Sequence, residues 1–157
     1  MRRAVLPAVA LLVLPLAGCA PTVSLTPAPQ ATSVRCAGVV VRLPDAIDGA
    51  ARRDTDAQGT AAWGVPASVT LTCGVTTPVI TGTPCQTVGG VDWLLETRRI
   101  GDVDRQVLST YGRSPGTQLV VDPAAVSSSA VLNAVSDAVA AATRTTGKCL
   151  SISGTTP

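Results

Sequence analysis

The stretch that most constrains this chain is residues 61–93, AAWGVPASVTLTCGVTTPVITGTPCQTVGGVDW, which holds both tryptophans and two of the five cysteines. Val69, Leu71, Cys73 and Val75 alternate with Thr70, Thr72 and Gly74, the period-2 pattern of a strand with one face on a core. Gly89 and Gly90 stand between Val88 and Val91, as a tight turn or bulge between β-formers requires. The segment therefore reads first as scaffold: a strand, a turn and a second strand that place Trp63 and Trp93.

The start of the chain reads as a targeting segment. Arg2 and Arg3 are followed by an apolar run over residues 4–14 that is too short for a bilayer span, and Leu16-Ala17-Gly18-Cys19 closes it, the layout of a secretory signal. That ending resembles the lipobox of bacterial lipoproteins, which implies cleavage before Cys19 and a diacylglycerol on its sulfur. Residues 1–18 are thus expected to be a signal peptide. Residues 19–33 would be the lipidated cysteine and a flexible Pro-, Thr- and Ala-rich tether, with too little apolar surface to fold. A single domain is expected over 34–153, with a disordered tail at 154–157. The expected location is the extracytoplasmic face of the cell membrane, with export by either the Sec or the twin-arginine route.

Arg2 and Arg3 are two of the 12 basic residues, so the mature chain balances ten basic groups against ten acidic ones. A neutral domain without a basic run has no electrostatic footprint for nucleic acid. Membrane attachment then rests on Cys19 alone. The remaining cysteines, Cys36, Cys73, Cys85 and Cys149, are even in number and read as two disulfides with three possible connectivities. The preferred set joins Cys73 to Cys85 across a Pro- and Thr-rich excursion and Cys36 to Cys149 across the ends of the domain. There is no Cys-x-x-Cys and no histidine, so neither a metal site nor a redox pair is expected.

Cys36, Val39, Val40 and Leu43 fall at helical spacing and predict a short helix over 34–43, ended by Pro44. Residues 45–58 read as loop; they carry Arg52, Arg53 and four of the ten acidic residues. Strands are expected at 67–75, 91–96, 105–111 and 117–121. Ser127 to Ser129 offer N-caps to a helix over 130–142, where Leu132, Val135, Val139 and Ala142 make an apolar stripe. The fold class predicted is α+β: one small domain whose antiparallel sheet of about four strands has the N- and C-terminal helices packed on one face.

Without histidine, Ser-His-Asp and Cys-His nucleophile systems cannot be built, and the phosphate-cradle and serine acyl-enzyme signatures are absent as well. Carboxylates remain. Asp92 with Glu96, or Asp45 with Asp48, could do acid–base work, although solvated surface charge is the plainer reading. The candidate binding groove comprises Arg53, Trp63, Asp92, Trp93, Tyr111 and Arg113. A tryptophan wall can stack on a sugar or a cation, while Asp92, opposite in phase to Val91 and Trp93, can pair with an arginine such as Arg98, Arg99 or Arg113. In a chain without Phe, core filling is the first reading of both tryptophans and the groove wall is the alternative.

Several runs in order resemble an actinobacterial exported family known only as domain of unknown function family 3515. They are Ala62-Trp63-Gly64 with Pro66, Cys73-Gly74-Val75, Gly90-Val91-Asp92-Trp93 and Thr110-Tyr111-Gly112-Arg113, together with Cys36, Leu43-Pro44, Gly49 and Arg52-Arg53. The family often has an aspartate between the glycine and proline of the first run, where this chain has Val65. The resemblance implies an envelope location and a single domain, and brings no activity or substrate with it. The expected function is a non-catalytic lipoprotein that binds an envelope protein or wall component, with no cofactor. A carboxylate-dependent enzyme acting on wall glycan and a structural or chaperone-like envelope module are the alternatives.

Overall fold

The computed structural model describes residues 21–76 and 83–149. In chain order these form α1 (Val34–Val40), β1 (Ala46–Ile47), β2 (Ala50–Arg53), β3 (Thr60–Trp63), β4 (Val69–Val75), β5 (Cys85–Val88), β6 (Val91–Ile100), β7 (Val103–Tyr111), β8 (Arg113–Ser114), β9 (Gly116–Val121), α2 (Ser128–Ala142) and β10 (Arg144–Thr145). Eight strands make one sheet in the order β1-β2-β3-β4-β9-β7-β6-β5, and β8 pairs with β10 in a second. All the strand pairings are antiparallel.

The alternation in β4 buries Val69, Leu71 and Cys73. With Trp63, Leu119, Leu108 and Trp93 they form one apolar layer against Cys36 and Val39 of α1 and Val131, Leu132, Val135 and Val139 of α2. Each such side chain removed from water contributes about 1.5 to 3 kcal/mol. Both tryptophans are fully buried and both indole N–H groups are satisfied. Trp63 Nε1 donates to the Pro44 carbonyl at 3.1 Å and Trp93 Nε1 to Ser136 Oγ at 3.0 Å.

The expected α+β class does not hold. The domain is mostly β, its main sheet has eight strands where about four were predicted, and a second sheet is present. The missed strands hide for physical reasons. β3 is buried at every position and so shows no alternation. β5 is an edge strand, exposed over its first three residues, and β1, β8 and β10 are two residues each. The expected loop at 45–58 contains β1 and β2, and the half-buried arginines of β2 masked it as solvated surface.

Helix α1 stops at Val40, earlier than the predicted 43. Ser33 caps its start by accepting from the Cys36 N–H at 3.2 Å, and Arg52 takes up its end, donating to the carbonyls of Val40 and Leu43 at 3.0 and 3.2 Å. Ser127 stands at the N-cap of α2 but makes no side-chain cap bond; its hydroxyl lies 2.8 Å from that of Ser129.

The disulfides join Cys36 to Cys73 and Cys85 to Cys149, not Cys73 to Cys85 and Cys36 to Cys149. Between β4 and β5 lie β9, β7 and β6, which at about 4.8 Å per strand separate Cys73 from Cys85 by roughly 19 Å, far beyond the reach of a disulfide. Cys36 instead faces Cys73 from α1 with a Cα–Cα distance of 5.5 Å.

The expected tether also needs correcting over residues 21–33. Val23 forms a parallel bridge with Thr55 and donates its N–H to the Asp54 carbonyl at 2.9 Å. The Leu25 N–H reaches Asp56 Oδ1 at 2.9 Å and the Gln30 N–H reaches the Gly74 carbonyl at 3.1 Å. The segment is docked because the domain supplies main-chain partners, which composition alone does not reveal. The predicted signal peptide, Cys19 and the tail at 154–157 lie outside the described residues.

Candidate functional site

β5, β6 and β7 set three polar side chains in one row, since Asp92 is in register with Thr87 on one side and with Tyr111 on the other. Val91 and Trp93 go to the core, so the strand period sends Asp92 to the opposite face. The row exists because Gly89 and Gly90, with φ of 56° and 72°, close the β5–β6 hairpin with both central residues left-handed, the conformation such turns favour. Asp92 Oδ1 accepts from Thr87 Oγ1 at 2.6 Å, and Oδ2 accepts from the main-chain N–H of Cys149 at 2.7 Å.

A strap over residues 144–149 closes the row from one side. β10 pairs with β8, and beyond it the Gly112 carbonyl accepts from Thr146 N–H at 2.7 Å and Gly147 N–H at 3.3 Å. Gly112 has φ of +58°, and a Cβ there would stand 2.1 Å from the Gly147 carbonyl oxygen. Only glycine permits the strap to lie so close. The Cys85–Cys149 disulfide, Cα–Cα 6.5 Å, fastens its far end to the sheet edge, and the buried Arg113 donates to the Gly90 carbonyl.

The result is a cleft of about 290 Å³ whose wall includes Thr87, Asp92, Tyr111, Arg113 and Lys148. Asp92 is the one carboxylate among these lining residues, and both its oxygens are engaged in holding the wall. Glu96 is tied to Arg98 instead, so the Asp92 and Glu96 pairing is not built in this cleft. Lys148 is exposed and Tyr111 half-buried, which suits the cleft to polar ligands carrying anionic or carbonyl oxygens.

Of the six residues assigned to a groove, Asp92, Tyr111 and Arg113 come together and the others do not. Trp63 and Trp93 are core. Arg53 sits at another place on the sheet, donating to the Gly64 carbonyl at 2.7 Å and to the carbonyl of Pro21. Nor do Arg98 and Arg99 serve Asp92: Arg98 pairs with Glu96, and Arg99 lies 3.6 Å from Asp104. Sequence reasoning missed Thr87 and Lys148, which reach the site only through the unrecognised strand β5 and the strap. A second, more open depression of about 560 Å³ lies beside Arg52, Arg53, Asp54 and Gln58, but both arginines there are spent on main-chain carbonyls. Among the described residues no group of three or more Cys, Asp or Glu side chains is placed to hold a metal ion.

Comparison with known proteins bears out the family resemblance. The family model described as Protein of unknown function (DUF3515) matches residues 4–147. No curated protein and no solved structure matches the chain.

Proposed function

We propose that this chain, which belongs to the family of proteins of unknown function DUF3515, is an exported lipoprotein held at the outer face of the cytoplasmic membrane through Cys19, and that it binds an envelope partner in the Asp92 cleft without transforming it. The observation that carries the binding role is the use made of Asp92. Its carboxylate is committed to Thr87 and the Cys149 main chain, which leaves Tyr111 and Lys148 to meet a ligand in a wall fixed by a disulfide. Such a site offers hydrogen bonds and positive charge but no second carboxylate for acid–base chemistry. Two disulfides support an oxidising compartment and hence export. The partner favoured is an envelope component that presents an anionic oxygen.

A photo-crosslinking side chain in place of Lys148, activated in intact cells, should enrich one partner above a control that carries only residues 1–33. Recovery of nothing above that control counts against the binding role, and release of cleavage products from wall fragments by the purified protein would overturn its non-catalytic character. Anchoring has its own test: Cys19→Ala should shift the protein to the medium or stop its processing. Normal processing with retention in the membrane fraction would defeat the lipoprotein reading.

A further inference from the structure

The first described residue, Pro21, is held on the domain by Arg53, whose guanidinium donates to the carbonyls of both Pro21 and Gly64. One side chain therefore ties the exit of the N-terminal segment to the β3–β4 turn. Cys19 is two residues before Pro21, a reach of at most about 7 Å. A lipid on Cys19 thus brings this end of the sheet to the bilayer, where a free tether would let the domain stand off.

The register shows what else lies at that end. Trp63 is opposite Val69, Val69 opposite Val121, and Val121 opposite Gln106. The β3–β4 turn and the β6–β7 turn consequently emerge from the same end of the sheet. Five large apolar side chains are exposed among the described residues, and three of them lie in or flank these two turns: Val65 is 72% exposed, Ile100 45% and Val103 47%. Val41 follows Val40, whose carbonyl is held by Arg52 opposite Trp63, so it belongs to this end too. The Asp92 cleft lies at the other end of β6, where Asp92 pairs with Tyr111.

We propose that the sheet end bearing Val65, Ile100 and Val103 rests on the bilayer that holds the acyl chains of Cys19, so that the Asp92 cleft is presented outward. The inference rests on lipidation of Cys19. The contact is apolar rather than electrostatic, because the arginines of the β6–β7 hairpin are already paired: Arg98 with Glu96, Arg99 with Asp104 and Arg105 with Asp122. Side chains of this kind settle at the boundary of headgroups and acyl chains once a lipid anchor holds them there.

The test uses the full lipidated protein, reconstituted in phosphatidylcholine vesicles with and without brominated acyl chains. Val65→Trp and Ile100→Trp each add an indole at an exposed site, and Val34→Trp serves as control. Val34 is exposed and begins α1 beside Cys36, which bonds Cys73 near the opposite end of the sheet. Trp63 and Trp93, being fully buried, give a constant background. The added emission of Val65→Trp and Ile100→Trp should be largely lost in bromolipid vesicles, and that of Val34→Trp retained. Co-flotation with vesicles but no quenching at 65 and 100 overturns the docking and leaves the anchor standing. Equal quenching at all three positions overturns the orientation. Failure to co-float removes the lipid anchor, and the docking with it.

Discussion

The main-chain N–H of Cys149 donates to the Asp92 carboxylate at 2.7 Å across 57 positions of sequence. The same residue is bonded through its sulfur to Cys85. One residue of the strap is thus held twice, by a charge from β6 and by a covalent bond from β5. Asp92→Ala removes the acceptor of two hydrogen bonds and should lower stability by about 1 to 3 kcal/mol, measured by urea denaturation. Amide exchange at residues 145–149 should quicken while α2 stays protected. Unchanged protection of the strap would mean that the carboxylate does not hold it.

The two disulfides should differ in consequence although their loops are similar. They span 37 and 64 residues, for which the chain-entropy estimate is about 4 kcal/mol each. Cys36 and Cys73 are fully buried, so replacing both with Ala also leaves an unfilled space between α1 and β4. That pair should lose more stability than the Cys85 and Cys149 pair. Cys85 is exposed, and graded thiol treatment should open its bond first. Peptide mapping without reductant reads both outcomes, and a Cys73–Cys85 fragment would contradict the arrangement.

Gly112→Ala should displace the strap without touching the core. The added methyl would meet the Gly147 carbonyl oxygen at 2.1 Å, at a residue whose φ is +58°. Backbone strain of this kind amounts to about 1 to 3 kcal/mol. The ring of Tyr111 should become more accessible in the variant, and ligand capture by the cleft should weaken. Wild-type exchange at Thr146 and Gly147 would show that the strap tolerates the methyl.

The parts of the fold that were legible are those with a strong period. β4 and α2 announce themselves because each buries one face more deeply than the other, and Gly89-Gly90 marks its turn by backbone freedom. β3 gave no sign, since burial on both faces erases alternation, and Ala50-Ala51-Arg52-Arg53 looked like surface because its arginines serve main-chain carbonyls. The site was half legible. Alternation correctly sent Asp92 away from Trp93, the β6–β7 pairing sets Tyr111 beside it, and Arg113 arrives from β8 just beyond Gly112. A chain without Phe reads both tryptophans first as core, and their full burial bears that out; it is the alternative aromatic wall that fails. Disulfide connectivity depends on strand order, and strand order is not a local property.

Acid should loosen the domain through two carboxylates. Asp56 is held below the ordinary range chiefly by the Leu25 N–H and then by the Ser24 hydroxyl; Asp122 is held low chiefly by the hydrogen bond from Arg105 and then by the Ala124 N–H. A carboxyl group whose folded value is depressed stabilises the fold above its unfolded value, near 3.9, and loses that contribution as pH falls toward the folded one. Denaturation midpoints should therefore fall as pH drops from about 5 to 2. Asp56→Asn and Asp122→Asn should each flatten that limb. In the Asp56 variant, the protection of the Val23 and Leu25 amides relative to the free amide should also lose its pH dependence.

Trp93→Phe decides whether that side chain is core or ligand wall. The indole N–H donates at 3.0 Å to Ser136 Oγ, and Ser136 is 1% exposed, so the phenyl ring would leave a buried hydroxyl with no partner. Stranding such a group destabilises by about 1 to 3 kcal/mol. Ser136→Ala on the Trp93→Phe background should recover part of the loss, because removing both polar partners together is milder than removing one. The two changes should be non-additive in urea denaturation. Trp63→Phe differs, since its acceptor is the carbonyl of Pro44, a half-buried residue that water can reach in place of the indole. Partner capture through the cleft should survive both substitutions at the stability that remains. A loss of capture with stability intact would return Trp93 to the binding surface and overturn its assignment to the core.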